Sequence, residues 1–152
     1  MMSDLAIIPV CEADKKWVAR LMAESEPWIT LGISYDQCLR VCHQSLNQIY
    51  VAQMMQEFVG MVILQDQGLA GSPYIKSIAV KKEHRNKGIG KLLLEFAEDK
   101  YGPTSRFIFL CVSSFNKRAL KFYEGIGYKK VGELQDYIAE GYSELIMQKC
   151  LQ

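Results

Sequence analysis

The segment SIAVKKEHRNKGIGKLLL, residues 77–94, constrains the fold most, because it joins a buried-type strand directly to a glycine-opened helix. Ile78, Ala79 and Val80 form the short apolar run of a strand lying inside a sheet. Beyond Gly88, the apolar residues Ile89, Leu92, Leu93, Phe96 and Ala97 recur at i, i+3, i+4, i+7 and i+8, one face of an α-helix. Glu95, Glu98 and Asp99 take the wet face. Gly88 and Gly90 remove side chains where the first helical N–H groups are still free, which opens the positive end of the helix to an anion. Lys81, Lys82, Arg85, Lys87 and Lys91 less Glu83 give 5 − 1 = +4 over residues 81–91, against +1 for the whole chain. The charge is local, so a small polyanion is the expected partner and a nucleic acid is not.

Two common phosphate motifs fail on spelling. A P-loop needs a glycine five residues ahead of its Gly-Lys pair and Ser or Thr after it, whereas Arg85 precedes Gly90-Lys91 and Leu92 follows. A dinucleotide fingerprint needs a third glycine where Leu93 stands and an acidic ribose ligand near Phe109 to Cys111, which is apolar. What remains, Arg85-Asn86-Lys87-Gly88-Ile89-Gly90, resembles the Gln/Arg-x-x-Gly-x-Gly/Ala signature of the GNAT superfamily of acyl-CoA-dependent N-acetyltransferases. The resemblance implies that Ile78, Ala79, Val80, Arg85, Asn86, Lys87, Gly88, Ile89, Gly90 and Lys91 bind acetyl-CoA as co-substrate, its pyrophosphate at the helix start.

A second stretch, LCVSSFNKRALKFYEGIGY at residues 110–128, resembles the superfamily's strand, Asn, helix, Tyr and Gly-Phe/Tyr pattern. Asn116 suits a helix N-cap. By the resemblance it also lies beside the pantetheine arm. Tyr123 fits ordinary helix core together with Ala119, Leu120 and Phe122. The resemblance instead implies a general acid, since a phenol of pKa about 10 stays protonated near neutrality and can serve a departing thiolate of pKa about 8.5.

The 152 residues, 49% of them apolar, are enough for one domain spanning residues 1–152. No apolar run reaches the roughly 20 residues of a membrane span, and Met1 to Val10 lacks the pattern of a signal peptide, so a cytoplasmic protein without a membrane partner is expected. The five cysteines, Cys11, Cys38, Cys42, Cys111 and Cys150, form no Cys-x-x-Cys pair and no cluster with histidine, so neither disulfides nor a metal site is expected. Cys38 and Cys42 beside His43 fit small core residues. A two-fold homodimer is the default expectation for assembly.

Periodicity predicts a strand over 5–10, a helix with Ala13, Trp17, Val18, Leu21 and Met22 on one face, and a break at 27–32. It then predicts a helix with Tyr35, Cys38, Leu39, Cys42 and Leu46 on one face and strands over 48–54 and 58–65, joined around Gln56-Glu57. After a 68–72 loop come strand 74–80, helix 88–100, strand 106–112, helix 116–124, and strands 128–133 and 143–149. The order βααβββαβαββ resembles the GNAT fold along the whole chain. It implies a mixed α/β architecture with about seven strands, mostly antiparallel, helices on both faces, and two central parallel strands that splay to admit acyl-CoA.

The resemblance implies direct transfer from acetyl-CoA to a primary amine of a small molecule, a peptide or protein N-terminus, or a lysine, with a backbone N–H of residues 78–80 polarising the thioester. A catalytically weak acyl-CoA sensor of the same fold, and transfer of a longer acyl chain, are the alternatives. The usual general base is missing: Tyr74 and Lys76 occupy one family slot for an acid, and Cys111 the other. Cys111 fits a buried small residue or an acyl-accepting thiol. Glu144, Tyr137, Tyr142 and Ser113 are further candidates for proton removal. Acceptor selection is expected from residues 24–36 and 135–142, since loops over a rigid scaffold carry specificity. There Trp28, Tyr35, Tyr137 and Tyr142 could wall a pocket, and Glu24, Glu26, Asp36, Asp136 and Glu140 could attract a cation.

Overall fold

A computed structural model describes residues 4–152. Its strands are β1 (Leu5–Pro9), β2 (Gln48–Met54), β3 (Glu57–Leu69), β4 (Ser72–Val80), β5 (Phe107–Ser113), β6 (Lys129–Ala139) and β7 (Tyr142–Cys150). Its α-helices are α1 (Lys15–Ala23), α2 (Tyr35–Cys42), α3 (Ile89–Tyr101) and α4 (Lys117–Gly125). The strands form one sheet in the order β1-β2-β3-β4-β5-β7-β6, antiparallel except for β4 beside β5. This is the expected mixed α/β architecture, with helices on both faces.

Each face of the sheet has its own core. Val18, Leu21 and Met22 of α1 and Cys38 and Cys42 of α2 pack on Ile49, Val51, Met61 and Ile63. On the other face, Ile89, Leu93, Leu94 and Ala97 of α3 and Tyr123 of α4 pack on Val62, Leu64, Ile108, Leu110 and Met147. The alternation of Met61 and Ile63 with Val62 and Leu64 along β3 follows from the period-two side-chain direction of a strand. Burial pushes the Cys42 thiol up to about 11, so Cys38 and Cys42 belong to core packing.

Several boundaries move from their expected places for local reasons. Helix α2 opens with a capping box: Ser34 Oγ accepts from the Gln37 N–H at 3.2 Å, and Gln37 Oε1 accepts from the Ser34 N–H at 2.8 Å. The helix stops at Cys42, leaving Leu46 outside it and exposed. The segment expected to be a loop around 68–72 is a tight hairpin, with Ala70 and Gly71 at φ 51° and 75° in the manner of a primed turn. The segment after Glu133 also stays extended. Strand β6 runs to Ala139 and turns at Glu140-Gly141, where Asp136 Oδ1 accepts from the Gly141 N–H at 2.9 Å and Gly141 adopts φ 85°.

The decisive irregularity lies at the centre of the sheet. β4 and β5 pair only at Tyr74 with Phe109 and Ile75 with Leu110, after which β4 continues to Val80 and β5 to Ser113 without meeting. The β3 partner of β4 passes from Leu64 opposite Ile75 to Ile63 opposite Ser77, so Lys76 has no opposite residue and forms a bulge, which bends the strand. β5 meanwhile stays paired with β7 over its full length. The result is a wedge open between two parallel strands.

A partly buried ion pair ties the second face together. Glu98 of α3 accepts from Tyr128 Oη at 2.9 Å and from Lys149 Nζ of β7 at 2.8 Å. Removing the carboxylate strands both donors, so Glu98→Ala should destabilise the protein by about 2 kcal/mol. Urea unfolding checks this, and a change within about 0.5 kcal/mol, as expected of an ordinary surface site, would contradict it.

Candidate active site

Two cavities meet at the wedge. The smaller, about 330 Å³, lies against the start of α3 and is lined by Ile78, Ala79, Val80, Arg85, Asn86, Gly88, Ile89, Gly90, Lys91 and Asn116. The larger, about 590 Å³, opens beside Trp28, Tyr74, Lys76, Cys111, Ser113, Tyr137 and Glu144. Glu26, Ile78, Asn116, Ala119 and Tyr123 line both.

At the smaller cavity the backbone is prepared for an anion. Asn86 and Gly88 adopt left-handed φ values of 62° and 85°, swinging the chain into α3. Leu92 N–H donates to the Gly88 carbonyl at 3.1 Å, and no side chain caps this helix, unlike α2 and α4. The first-turn N–H groups of Ile89, Gly90 and Lys91 therefore keep their donor capacity. His84 adds a second unclaimed group, for its Nδ1 is buried without a hydrogen-bond partner among the described residues, and the residue lines this cavity. These features fit the pyrophosphate and phosphate groups of coenzyme A.

The cations of the segment divide. Lys81 pairs with Glu57 at 2.7 Å and Glu83 at 3.1 Å, which draws its charge away from the cavity. Lys82 and Lys87 line neither cavity, although Lys87 stands within the signature. Arg85 and Lys91 remain, with Arg85 Nε donating to the Val80 carbonyl at 3.0 Å, which locks the loop onto the end of β4. Arg118 of α4 joins them from the opposite wall and donates to Asn86 Oδ1 at 2.8 Å. Sequence reasoning overlooked Arg118, His84 and Phe122 as cavity residues. Arg118 carried one available signal, since it lies in the first turn of the helix that Asn116 opens.

Asn116 Oδ1 accepts from the Ala119 N–H at 3.3 Å, capping α4, and the residue lines both cavities. Two turns on, Tyr123 is buried, packs edge-on against Tyr128 at 6.0 Å, and is held well above the usual phenol range by burial. It stays protonated across the neutral range.

The larger cavity has a mixed lining. Apolar walls come from Trp28, Leu31, Ile33, Leu69, Leu134 and Ile138. Glu144 of β7 stands opposite Ser113 of β5, and both Glu144 Oε2 and Ser113 Oγ are buried without hydrogen-bond partners among the described residues. Burial raises the Glu144 carboxyl, opposed by the Ser113 hydroxyl, which approaches it as a donor without reaching good hydrogen-bond geometry, and by the charge of Lys76. Burial also raises Tyr74 and Cys111, so the Cys111 thiol is poorly disposed to act as a thiolate nucleophile. Trp28, Tyr137 and Glu144 come together here, whereas Tyr35 and Tyr142 do not. Tyr35 packs into the α1–α2 core with Arg20 at 6.0 Å from its ring, and Tyr142 packs against Phe115 at 5.2 Å. Of the acidic residues near the acceptor segments, Glu26 lines both cavities, while Glu24, Asp36, Asp136 and Glu140 line neither.

Comparison with known proteins agrees with this architecture. An uncharacterized N-acetyltransferase of Methanocaldococcus jannaschii is 34% identical over 105 residues, covering 68% of this chain and 66% of that protein. An N-alpha-acetyltransferase of Saccharolobus solfataricus is 35% identical over 91 residues, covering 59% of this chain and 54% of that protein. The chain thus spans about two-thirds or less of the length of these curated relatives. An aminoglycoside 6'-N-acetyltransferase solved with coenzyme A shares the fold, with a TM-score of 0.76, 19% identity and 97% of each chain covered. Residues 14–128, which run from the lead-in to α1 through Tyr128 and include both halves of the wedge, match the acetyltransferase (GNAT) family, and the chain belongs to that family.

Proposed function

We propose that the protein is an acyl-CoA-dependent N-acetyltransferase that moves an acetyl group from acetyl-CoA to a primary amine by direct transfer in a ternary complex. The observation that carries this reading is the meeting of two cavities at a split between parallel strands, with Tyr123 lining both. A donor bound along one cavity and an acceptor in the other would have their reacting atoms brought together at the wedge. Holding two reactants in attack geometry is a large source of acceleration, with effective molarities up to about 10⁵ to 10⁸ M. The names of the archaeal relatives and the coenzyme A in the structural neighbour support the same donor and chemistry.

Each part of the wedge has a task in this reading. The first turn of α3, with Arg85, Lys91 and Arg118, holds the phosphates. Asn116 guides the pantetheine arm. Beyond Ile75 the β5-facing edge of β4 has no partner strand, so a backbone N–H of residues 78–80 is available to polarise the thioester carbonyl. The amine attacks that carbonyl from the larger cavity, and Tyr123 protonates the departing sulfur. The test is a thiol-release assay with acetyl-CoA and a panel of amines and peptides, with mass spectrometry of the acceptor. Amine-dependent thiol release with matching acetylation is expected; saturable acetyl-CoA binding with no transfer to any amine would overturn the reading in favour of a sensor.

A further inference from the structure

We propose that Glu144, seated opposite Ser113, receives the ammonium of the acceptor and takes its proton, and that this acceptor is a primary amine carried on an apolar or aromatic body. The inference rests on the reading of the chain as an N-acetyltransferase. It starts from two buried groups that face each other without a well-formed hydrogen bond. Glu144 Oε2 and Ser113 Oγ are both buried, both lack hydrogen-bond partners among the described residues, and belong to residues opposite each other in the β5–β7 pair on the wall of the larger cavity. A buried polar atom left unpaired is costly, and a carboxylate oxygen more so, unless something else meets it. Lys76 is close enough to influence the carboxyl electrostatically but leaves Oε2 unpaired. An ammonium donates to both oxygens at once, and so satisfies both groups.

The surrounding groups determine what the carboxylate can do. Tyr74 and Lys76 of β4 and Cys111 of β5 are close enough to couple to it, while Tyr137 of β6, which couples to Tyr74, and Glu26 line the same cavity. Lys76 favours the ionised form, and burial makes that form a stronger base than a solvated carboxylate. In the reaction the ammonium gives one proton to Glu144 and the freed nitrogen lone pair forms the C–N bond. The C–S bond breaks, and the sulfur takes a proton from Tyr123. The remaining excess proton on nitrogen returns to the tyrosine, and the proton on Glu144 leaves to solvent, so each turnover releases one proton.

The walls define the acceptor class. Beyond the Glu144 seat the cavity presents Trp28, Leu31, Ile33, Leu69, Leu134 and Ile138, with Glu26 as its other carboxylate and Lys76 as a cation. A polyamine's distant ammonium would have only Glu26, which already accepts from Thr30 and also borders the smaller cavity, and would otherwise lie against apolar side chains or Lys76, whereas an amine with a single charge and an apolar body places each part against its like. A free arylalkylamine and a peptide with an apolar first residue share this chemistry.

The experiment compares wild type, Glu144→Gln and Glu144→Asp with 2-phenylethylamine, a peptide bearing an N-terminal leucine, and spermidine, over about pH 6 to 10. Wild type should prefer at least one of the two apolar amines to spermidine in kcat/KM by about 10-fold or more, and the two arms separate a free amine from an N-terminus. Glu144→Gln should lower kcat/KM for the preferred amine about 100-fold near pH 7, with the deficit shrinking as pH approaches the amine's own pKa. Glu144→Asp should recover part of the rate, and the KM for acetyl-CoA should stay unchanged. A Glu144→Gln deficit equal at every pH, or none, would overturn the base; if that variant does not fold, an unchanged Glu144→Asp profile does the same. A preference for spermidine would overturn the acceptor class. In these cases wild-type transfer leaves the enzymatic reading standing, whereas wild-type binding of acetyl-CoA without transfer to any amine would remove both.

Discussion

Gly90→Val is expected to weaken acetyl-CoA binding about 1,000-fold while leaving the fold intact. The reason lies in what a side chain would meet at the open end of α3. A Cβ built on Gly90 comes to 3.3 Å from Cζ of Phe122 and 3.9 Å from Val80 Cγ2, and the two branches of valine extend further into the same space. Phe122 is 37% exposed, so its ring can swing away at little cost to the core. It also lines the smaller cavity, and its displacement would crowd the space proposed for the donor. The substituent stands in the turn whose N–H groups are uncapped, and would hold an anion away from them. Losing two charge-assisted hydrogen bonds at about 2 kcal/mol each gives about 4 kcal/mol, or about 1,000-fold in affinity. Isothermal titration with coenzyme A checks the affinity and thermal unfolding checks the fold. Binding within about 10-fold of wild type would show that the phosphates do not depend on this turn.

Gly90 also marks how far the amino-acid sequence reaches by itself. The glycines, the apolar helix face and the strand before them are local signals, and local signals place elements well. The sheet order needed more, because it depends on β7 inserting between β5 and β6, a long-range pairing carried by no single residue. Bulging at Lys76 was also out of reach, since the missing partner lies on β3. Charge summed along residues 81–91 overstated the charge at the cavity, because Glu57, 24 positions away, claims Lys81, while Arg118 arrives from another helix. The aromatic residues diverge for a similar reason. The chain at 134–139 stays extended instead of looping, so strand direction helps place Tyr137, while Tyr35 of α2 packs into the α1–α2 core rather than lining the cavity. Glu144 alternates with buried Ser143 and Leu145, a pattern visible in the chain, but its unpaired oxygen is not.

Tyr123→Phe should lower kcat about 1,000-fold with little change in the KM for acetyl-CoA. The substitution keeps the ring that packs against Phe122 at 5.5 Å and Tyr128 at 6.0 Å, and removes only the hydroxyl. General acid catalysis typically supplies about 100- to 10,000-fold, and the expected loss lies at the centre of that range. Burial raises the phenol well above its ordinary value, so the proton is present throughout the working range and no loss of acid is expected as pH rises through neutrality. The same burial makes a free phenolate unfavourable. Proton donation must therefore accompany C–S cleavage, with the nitrogen proton returning to the oxygen as the amide forms. An interaction made chiefly in the transition state lowers kcat and kcat/KM together, and leaves ground-state binding alone. Acetyl-CoA carrying a better thiol leaving group should narrow the gap between the variant and wild type, because such a thiolate needs less help to depart. A variant whose kcat is unchanged would remove Tyr123 from the chemistry, and one whose KM alone rises would make it a wall of the donor site.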